Sequence, residues 1–260
     1  MNMNLIVRLA GEFWSRTGDP DSFPRDIESA VSLSIPMAIV KLPRLEVSAI
    51  AQWFDQRGIQ RPFPPDGRPL AGCLIAFRGQ AIAFLDGAEP ADERRFNLAH
   101  EVAHFLLDYL DPRLRALDHF GPSILDVLDG LRRPSVTERV DALLSRVALG
   151  VHVHLMERGR RREVDPESVA VSEHWADVLA FELLAPRRRV TSIIGRAESS
   201  SLDSVSDTGV EKAAGLLAKE FGLPPGEAEI LAKLILKPKH KPHSLLHELG
   251  FSPVKKGVDR

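Results

Sequence analysis

The sequence predicts an α+β fold with a mostly helical body, a small sheet and a helical carboxy-terminal appendage. Two short apolar runs, at residues 73 to 77 and 81 to 85, have the length of strands and flank Arg78-Gly79-Gln80, which indicates a hairpin. Longer apolar segments follow Pro90 and Asp165-Pro166, residues that favour the start of a helix. With 260 residues, of which 44% are hydrophobic, the chain is long enough to bury a sizeable core.

The amino-terminal part of the chain carries short elements. Helical patterns are expected at residues 27 to 33 and 47 to 56, and Ala38-Ile39-Val40 between them is typical of a strand. The hairpin follows and is expected to lead through Asp86-Gly87 into the next helix.

The helix after Pro90 is predicted to lie in the core. Asp92 and Glu93 favour its first turn through the helix dipole, and Asp111-Pro112 is expected to end it. Between these limits apolar side chains fall on almost every side, which is typical of a buried helix. They are Phe96, Leu98, Ala99, Val102, Ala103, Phe105, Leu106 and Leu107.

This helix contains His100-Glu101-Val102-Ala103-His104, an H-E-x-x-H motif. A four-residue step brings the two imidazoles to nearly one face, roughly 6 Å apart along the axis, so both can bind one metal ion. Glu101 lies about 100° around the helix, where it can reach a water molecule in an open zinc position. The pattern is typical of zinc peptidases, in which zinc polarises the peptide carbonyl and the glutamate acts as general base.

The alternative is that the two histidines and the glutamate are only packing or solvated residues. Inside a core helix each unpaired polar group would cost roughly 1 to 3 kcal/mol, which favours a metal.

A catalytic zinc site normally has three protein ligands. The metzincin pattern would require glycine in place of Leu107 and histidine in place of Leu110, so it is excluded. Glu173, on a second helix predicted over residues 166 to 185, is the better candidate, with Asp177 four residues later. This spacing resembles that of thermolysin-like gluzincins. Asp177 would accept the outward N–H of a ligand histidine, and His100 is the expected one. The alternative is that Glu173 and Asp177 form only structural ion pairs.

The two segments together resemble the ImmA/IrrE family of metallopeptidases. The resemblance lies in Arg95 to Leu107, which reads R-F-N-L-A-H-E-V-A-H-F-L-L, and in Glu173, Ala176-Asp177 and Leu183-Leu184-Ala185-Pro186. It implies a zincin-like metallopeptidase core with one zinc ion as cofactor. It also implies a cytoplasmic regulatory protease whose substrate is a helix-turn-helix transcriptional repressor, in stress response or mobile-element regulation.

The chain departs from the family pattern in a few places. Asn97, Leu179 and Ala185 stand where the family has threonine, phenylalanine and methionine, and none of them is a predicted ligand. The separation of His104 and Glu173 is longer than a compact member would need, so residues 111 to 165 are interpreted as a helical insertion. A long helix is expected within it, over residues 136 to 160.

The predicted domains are a metallopeptidase domain at residues 1 to 197 and a linker with a helical region at residues 198 to 260. Two helices, at residues 210 to 221 and 227 to 236, flank Gly222-Leu223-Pro224-Pro225 and form a helix-turn-helix pattern followed by a basic tail. Two packed helices more often form a small bundle. DNA binding stays an alternative that lacks identifiable base-reading side chains.

Composition limits the class of protein. The net charge of −2 gives no general attraction to nucleic acid, and the single cysteine, Cys73, excludes an internal disulfide and a cysteine-based zinc site. No apolar run approaches the length of about 18 residues that a membrane span needs, and no secretion pattern is present, so we expect a cytoplasmic protein without a membrane partner.

The predicted function is therefore zinc-dependent hydrolysis of a peptide bond in a protein substrate. A strand beside the zinc helix can align an extended peptide, and residues 81 to 85 are expected to form that edge strand. Oxyanion stabilisation is open among several side chains. The alternative function is a non-catalytic zinc-containing module that binds a repressor or DNA, which the intact Glu101 disfavours. The further candidates for the site are His119, His152, His154, His174 and Tyr109. His174 points about 100° away from Glu173 on the helix and is not an expected ligand, and one of the rest could stabilise the oxyanion.

Overall fold

The computed structural model describes residues 2–17, 22–60, 62–63, 67–145, 147–149, 166–198 and 207–236. In this part of the chain the protein is mostly helical with one three-stranded mixed sheet, which confirms the α+β class. None of its helices is long and apolar enough to cross a membrane.

The elements follow one another in chain order. The strands are β1 (Met37–Leu42), β2 (Gly72–Phe77) and β3 (Gln80–Asp86). A π-helix (Phe105–Leu110) connects α4 to α5, and a 3-10 turn (Pro122–Ile124) precedes α6. The α-helices are α1 (Met3–Trp14), α2 (Ile27–Ser34), α3 (Val47–Asp55), α4 (Ala91–His104), α5 (Asp111–Phe120), α6 (Leu125–Leu128), α7 (Val136–Ser145), α8 (Pro166–Leu184), α9 (Arg187–Glu198), α10 (Asp207–Phe221) and α11 (Pro225–Leu236).

The sheet has the order β1-β3-β2. The predicted hairpin is confirmed, since β2 and β3 pair antiparallel around Arg78 and Gly79, whose φ angles of 49° and 81° are those of a tight hairpin turn. β1 pairs parallel with β3, with Met37 opposite Ala81. The prediction that residues 81 to 85 form an edge strand is therefore wrong. Parallel pairing joins strands that are distant in sequence, so a local pattern does not reveal it.

Side chains of β3 alternate between two apolar clusters, as expected for a strand covered on both faces. Ala83 and Leu85 pack in the large cluster with α4, and Phe84 packs in a smaller one with Ile50 and Phe54 of α3. The sheet thus supports the motif helix from one side.

Helix α4 begins where the sequence predicted but does not end before Asp111. The backbone stays helical through the π-helix and into α5, and Pro112 is accommodated in the first turn of α5. Proline has no N–H, so one backbone hydrogen bond of a continuous helix is left out where the π-helix meets α5.

Helix α8 runs from Pro166 to Leu184, as predicted, and packs against α4. Helices α1 and α9 were not predicted. Helix α1 buries Ile6, Phe13 and Trp14 among other residues, and the Trp14 indole donates a 3.0 Å hydrogen bond to the carbonyl of Leu183. The amino-terminal helix is therefore part of the same core.

The predicted long helix after residue 136 is shorter than expected. Helix α7 ends at Ser145, and the N–H of Val147 bonds to the carbonyl of Ala142 at 2.9 Å, an arrangement that closes a helix. Residues 147 to 149 are not helical, and residues 150 to 165, with the rest of the predicted helix, lie outside the described residues.

Helices α10 and α11 confirm the two predicted carboxy-terminal helices. Their apolar side chains, including Leu217 and Phe221, belong to the large cluster that also contains α4 and α8. Arg95 of α4 donates hydrogen bonds to the carbonyls of Phe221 and Gly222 and so caps the end of α10. The division of domains at residue 198 stays a prediction, and residues 199 to 206 and 237 to 260 lie outside the described residues.

Candidate metal centre

The three predicted metal ligands lie together in the structure. His100 and His104 project from the same side of α4, and their Nε2 atoms are 3.0 Å apart. Helix α8 brings the Glu173 Oε2 atom to 3.3 Å from His100 Nε2 and 3.6 Å from His104 Nε2. These three residues form a group that could hold a metal ion.

The spacing of the ligand atoms fits one small metal ion. Ligand bonds of about 2.0 to 2.2 Å in a tetrahedral site place the ligand atoms about 3.3 to 3.6 Å from one another. The separations between the histidine nitrogens and the Glu173 oxygen are 3.0, 3.3 and 3.6 Å. Three protein atoms then leave one tetrahedral position open.

Each histidine also contacts a second carboxylate through its other ring nitrogen. His100 Nδ1 lies 2.9 Å from Asp177 Oδ1, which is the contact that the sequence predicted for Asp177. His104 Nδ1 lies 2.8 Å from Asp108 Oδ2. Sequence reasoning missed Asp108, although a carboxylate four residues after His104 on a helix could have indicated it.

The carboxylates make positive charge favourable where the ligand atoms meet. Burial lowers the pKa of His100, but hydrogen bonds to Asp177 and Glu173 outweigh it and raise that pKa to about 10. Burial also lowers the pKa of His104, but hydrogen bonds to Asp108 and Glu173 outweigh it and raise that pKa to about 9. The two histidines hold the pKa of Glu173 well below its usual range. A metal cation would satisfy the same surroundings.

Glu101 lies beside this group with its carboxylate buried. The residue is 4% exposed, and its Oε2 atom has no hydrogen-bond partner among the residues that the structure describes. Burial raises the pKa of Glu101. A buried carboxylate oxygen is costly unless it is paired, so this atom indicates a polar ligand that binds next to it.

Gly72, the first residue of β2, makes room for the Glu101 carboxylate. A Cβ atom at this position would lie 2.4 Å from Glu101 Oε1. The sheet edge and the motif helix therefore meet at Glu101. The sequence did not indicate this contact because it joins two segments that are far apart in the chain.

One carboxylate of the carboxy-terminal helices is influenced by charges on α4 and α8. Glu227, in the first turn of α11, is half-buried, and burial together with the nearby Asp177 and Glu93 raises its pKa. The ligand atoms and the Glu101 carboxylate are thus held by α4 and α8 and bordered by β2. The sequence treated α11 as part of an appendage and did not indicate this influence.

The further candidate side chains from the sequence lie away from the ligand atoms or have other partners. His119 pairs with Asp141 at 3.2 Å, and His174 is exposed with its ring against Trp175. The hydroxyl of Tyr109 accepts a 2.7 Å hydrogen bond from the N–H of Gly79. None of these three joins the metal group. The other two candidates, His152 and His154, lie outside the described residues.

No protein-family model matches the chain, and no curated protein matches it significantly. What the site can do chemically therefore follows from the H-E-x-x-H motif and from the geometry of the ligand group.

Proposed function

We propose that the protein is a zinc-dependent endopeptidase. The observation that carries this proposal is the convergence of the His100, His104 and Glu173 ligand atoms beside the buried carboxylate of Glu101. Two imidazole nitrogens, one carboxylate oxygen and an open fourth position are the donor set of a catalytic zinc site. A purely structural zinc site would have four protein ligands and would not need Glu101.

The roles of the residues follow from their positions. His100, His104 and Glu173 would hold zinc, which when bound would polarise the scissile carbonyl and acidify a water molecule. Glu101 would accept the proton of that water on its carboxylate and pass it to the leaving amine nitrogen. Asp177, by accepting the Nδ1–H of His100, would leave the Nε2 atom of that ring to bind the metal.

The sheet suggests how an extended substrate would bind. Since β3 is the central strand, the edge next to the site is β2, whose first residue touches Glu101. A peptide added to β2 would have its main chain held by hydrogen bonds close to the general base. We propose this strand, in place of residues 81 to 85, as the substrate-aligning strand.

The substrate class and the setting are also proposals. The resemblance to ImmA/IrrE metallopeptidases suggests a zincin-like enzyme that acts in the cytoplasm on a helix-turn-helix transcriptional repressor. DNA binding by the carboxy-terminal helix pair stays an alternative, and residues 237 to 260 of the basic tail lie outside the described residues.

The proposal is tested by Glu101→Gln, which keeps the size of the side chain but removes the base. We expect the variant to retain zinc and partner binding and to lose cleavage. The wild type, Glu101→Gln and the control Glu93→Gln, two turns earlier on α4, would each be co-expressed with a repressor encoded beside the gene. Mass spectrometry would detect fragments, and a reporter would measure derepression. Equal derepression by wild type and Glu101→Gln without any fragment would refute the peptidase and favour a non-catalytic binding module.

A further inference from the structure

One carboxylate oxygen, Asp108 Oδ2, connects the two helices that carry the metal ligands. It lies 2.8 Å from His104 Nδ1 and accepts a 2.9 Å hydrogen bond from the Ser172 hydroxyl. The side chains of Asp108 and His104 are only 15% and 1% exposed. Hydrogen bonds shielded from water in this way are stronger and harder to replace than exposed ones.

The backbone around Asp108 is a π-helix, a rare conformation that is frequent at functional sites. Its wider turn changes which faces of the helix are occupied by the residues that follow His104. Asp108, four residues after His104, faces both His104 and α8, and the hydroxyl of Tyr109 next to it bonds to the N–H of Gly79 in the hairpin. The π-helix is thus the place where the motif helix is joined to α8 and to the sheet.

We propose that Asp108 is a positioning residue that sets His104 and the third ligand together. By accepting the Nδ1–H of His104, it leaves the Nε2 lone pair of that ring directed at the ligand position. Ser172 immediately precedes Glu173, so its hydrogen bond to Asp108 fixes the turn of α8 that carries Glu173. Asp177 holds His100 from one turn further along α8. Glu173, the third ligand, therefore lies between two residues of α8, Ser172 and Asp177, that each contact the helical segment of the motif.

This inference rests on the proposed zinc site and adds a coupling between Asp108 and Ser172. The test measures zinc affinity by competition between a zinc chelator and the full-length chain. The variants are Asp108→Ala, Asp108→Asn, Ser172→Ala and the double variant that combines Asp108→Ala with Ser172→Ala. Asp108→Ala should weaken zinc binding about 10- to 100-fold, the range for loss of a residue that orients a ligand. Asp108→Asn keeps an acceptor oxygen and should lose less. Ser172→Ala should lose less zinc affinity than Asp108→Ala. The double variant should have the same zinc affinity as Asp108→Ala, because both effects act through the Oδ2 atom of Asp108.

Asp111→Ala is the matched control. Asp111 lies three residues after Asp108 in the same helical segment, and its side chain is 12% exposed. It forms ion pairs with Arg8 of α1 and Arg115 of α5. This variant should keep wild-type zinc affinity even if the metal-free chain melts at a lower temperature.

Three results would overturn the inference. The first is wild-type zinc affinity in both Asp108→Ala and Asp108→Asn, whether or not the metal-free chain loses stability, since that would make the role purely structural. The second is an equal loss of affinity in Asp111→Ala, and the third is additive losses from Asp108→Ala and Ser172→Ala. A wild-type chain that binds no zinc would refute the proposed function too, so the two failures are distinguishable.

Discussion

Replacement of Gly72 by alanine would place a methyl group in the space that the Glu101 carboxylate occupies. The added Cβ would lie 2.4 Å from Oε1 and 3.1 Å from both Cγ and Cδ of Glu101. Gly72 does not have a positive φ angle, so alanine fits its backbone conformation. In the folded state the effect of the substitution therefore comes from this contact and not from backbone strain.

The size of the effect follows from the distance. A carbon to oxygen contact normally requires about 3.4 Å, so Oε1 of Glu101 would have to move by about 1 Å. A misplacement of about 1 Å in a catalytic group can lower the rate about 100-fold. Overpacking should cost about 1 to 3 kcal/mol of stability, of which the reduced entropy of the unfolded chain offsets about 0.4 to 1 kcal/mol. We expect kcat to fall about 100-fold, with near-normal KM, zinc content and fold.

The assay is the steady-state kinetics of cleavage together with zinc content and thermal unfolding. Gly11→Ala is the control, because a Cβ at Gly11 of α1 would meet no atom within 4 Å. Wild-type kcat in Gly72→Ala would refute the placement of Glu101 against the sheet edge. Loss of zinc in this variant would instead show that Gly72 acts on the ligands and not on the base.

The wild-type chain should hold about one zinc ion, and elemental analysis of His104→Ala and Glu173→Ala should find almost none, because each removes one of three ligands. Asp177→Ala should keep the fold but weaken zinc binding about 10- to 100-fold in a chelator competition, because His100 loses its orienting partner. Burial raises the pKa of the Cys73 thiol to about 12, so iodoacetamide at pH 8 should modify it in the unfolded chain but not in the folded one, as measured by mass spectrometry. The neutral thiol favours the folded state, so this contribution to stability is complete below the ordinary thiol pKa of 9.0 and is lost as the pH rises through about 12.

Each of these predictions has a contrary outcome. Full zinc occupancy in Glu173→Ala would move the third ligand to another residue and remove the gluzincin assignment. Unchanged zinc affinity in Asp177→Ala would reduce that residue to a structural ion pair. Rapid modification of Cys73 in the folded chain at pH 8 would contradict its burial between the sheet and α3.

Local patterns in the sequence determined the elements and the positions of the ligands within them. Apolar spacing and capping residues were sufficient for α2, α3, α8, α10, α11 and the hairpin, because their hydrogen bonds join residues close in the chain. The four-residue steps from His100 to His104 and from Glu173 to Asp177 each place two side chains on neighbouring positions of one helix, whatever surrounds it. The convergence of the three ligand atoms agrees with the motif, and zinc itself stays a proposal.

Tertiary packing decided the features that depend on residues far apart in the chain. β3 is central only because β1 pairs with its other edge. The Glu101 carboxylate has room only because Gly72 of β2 has no side chain. The turn of α8 that carries Glu173 is held by the hydrogen bond from Ser172 to Asp108 in the π-helix. Arg95 likewise joins α10 to the motif helix, which made the carboxy-terminal helices part of one core. These contacts have no local period, because they arise only when separate elements bury their apolar faces against one another and thereby bring their polar groups within hydrogen-bonding distance.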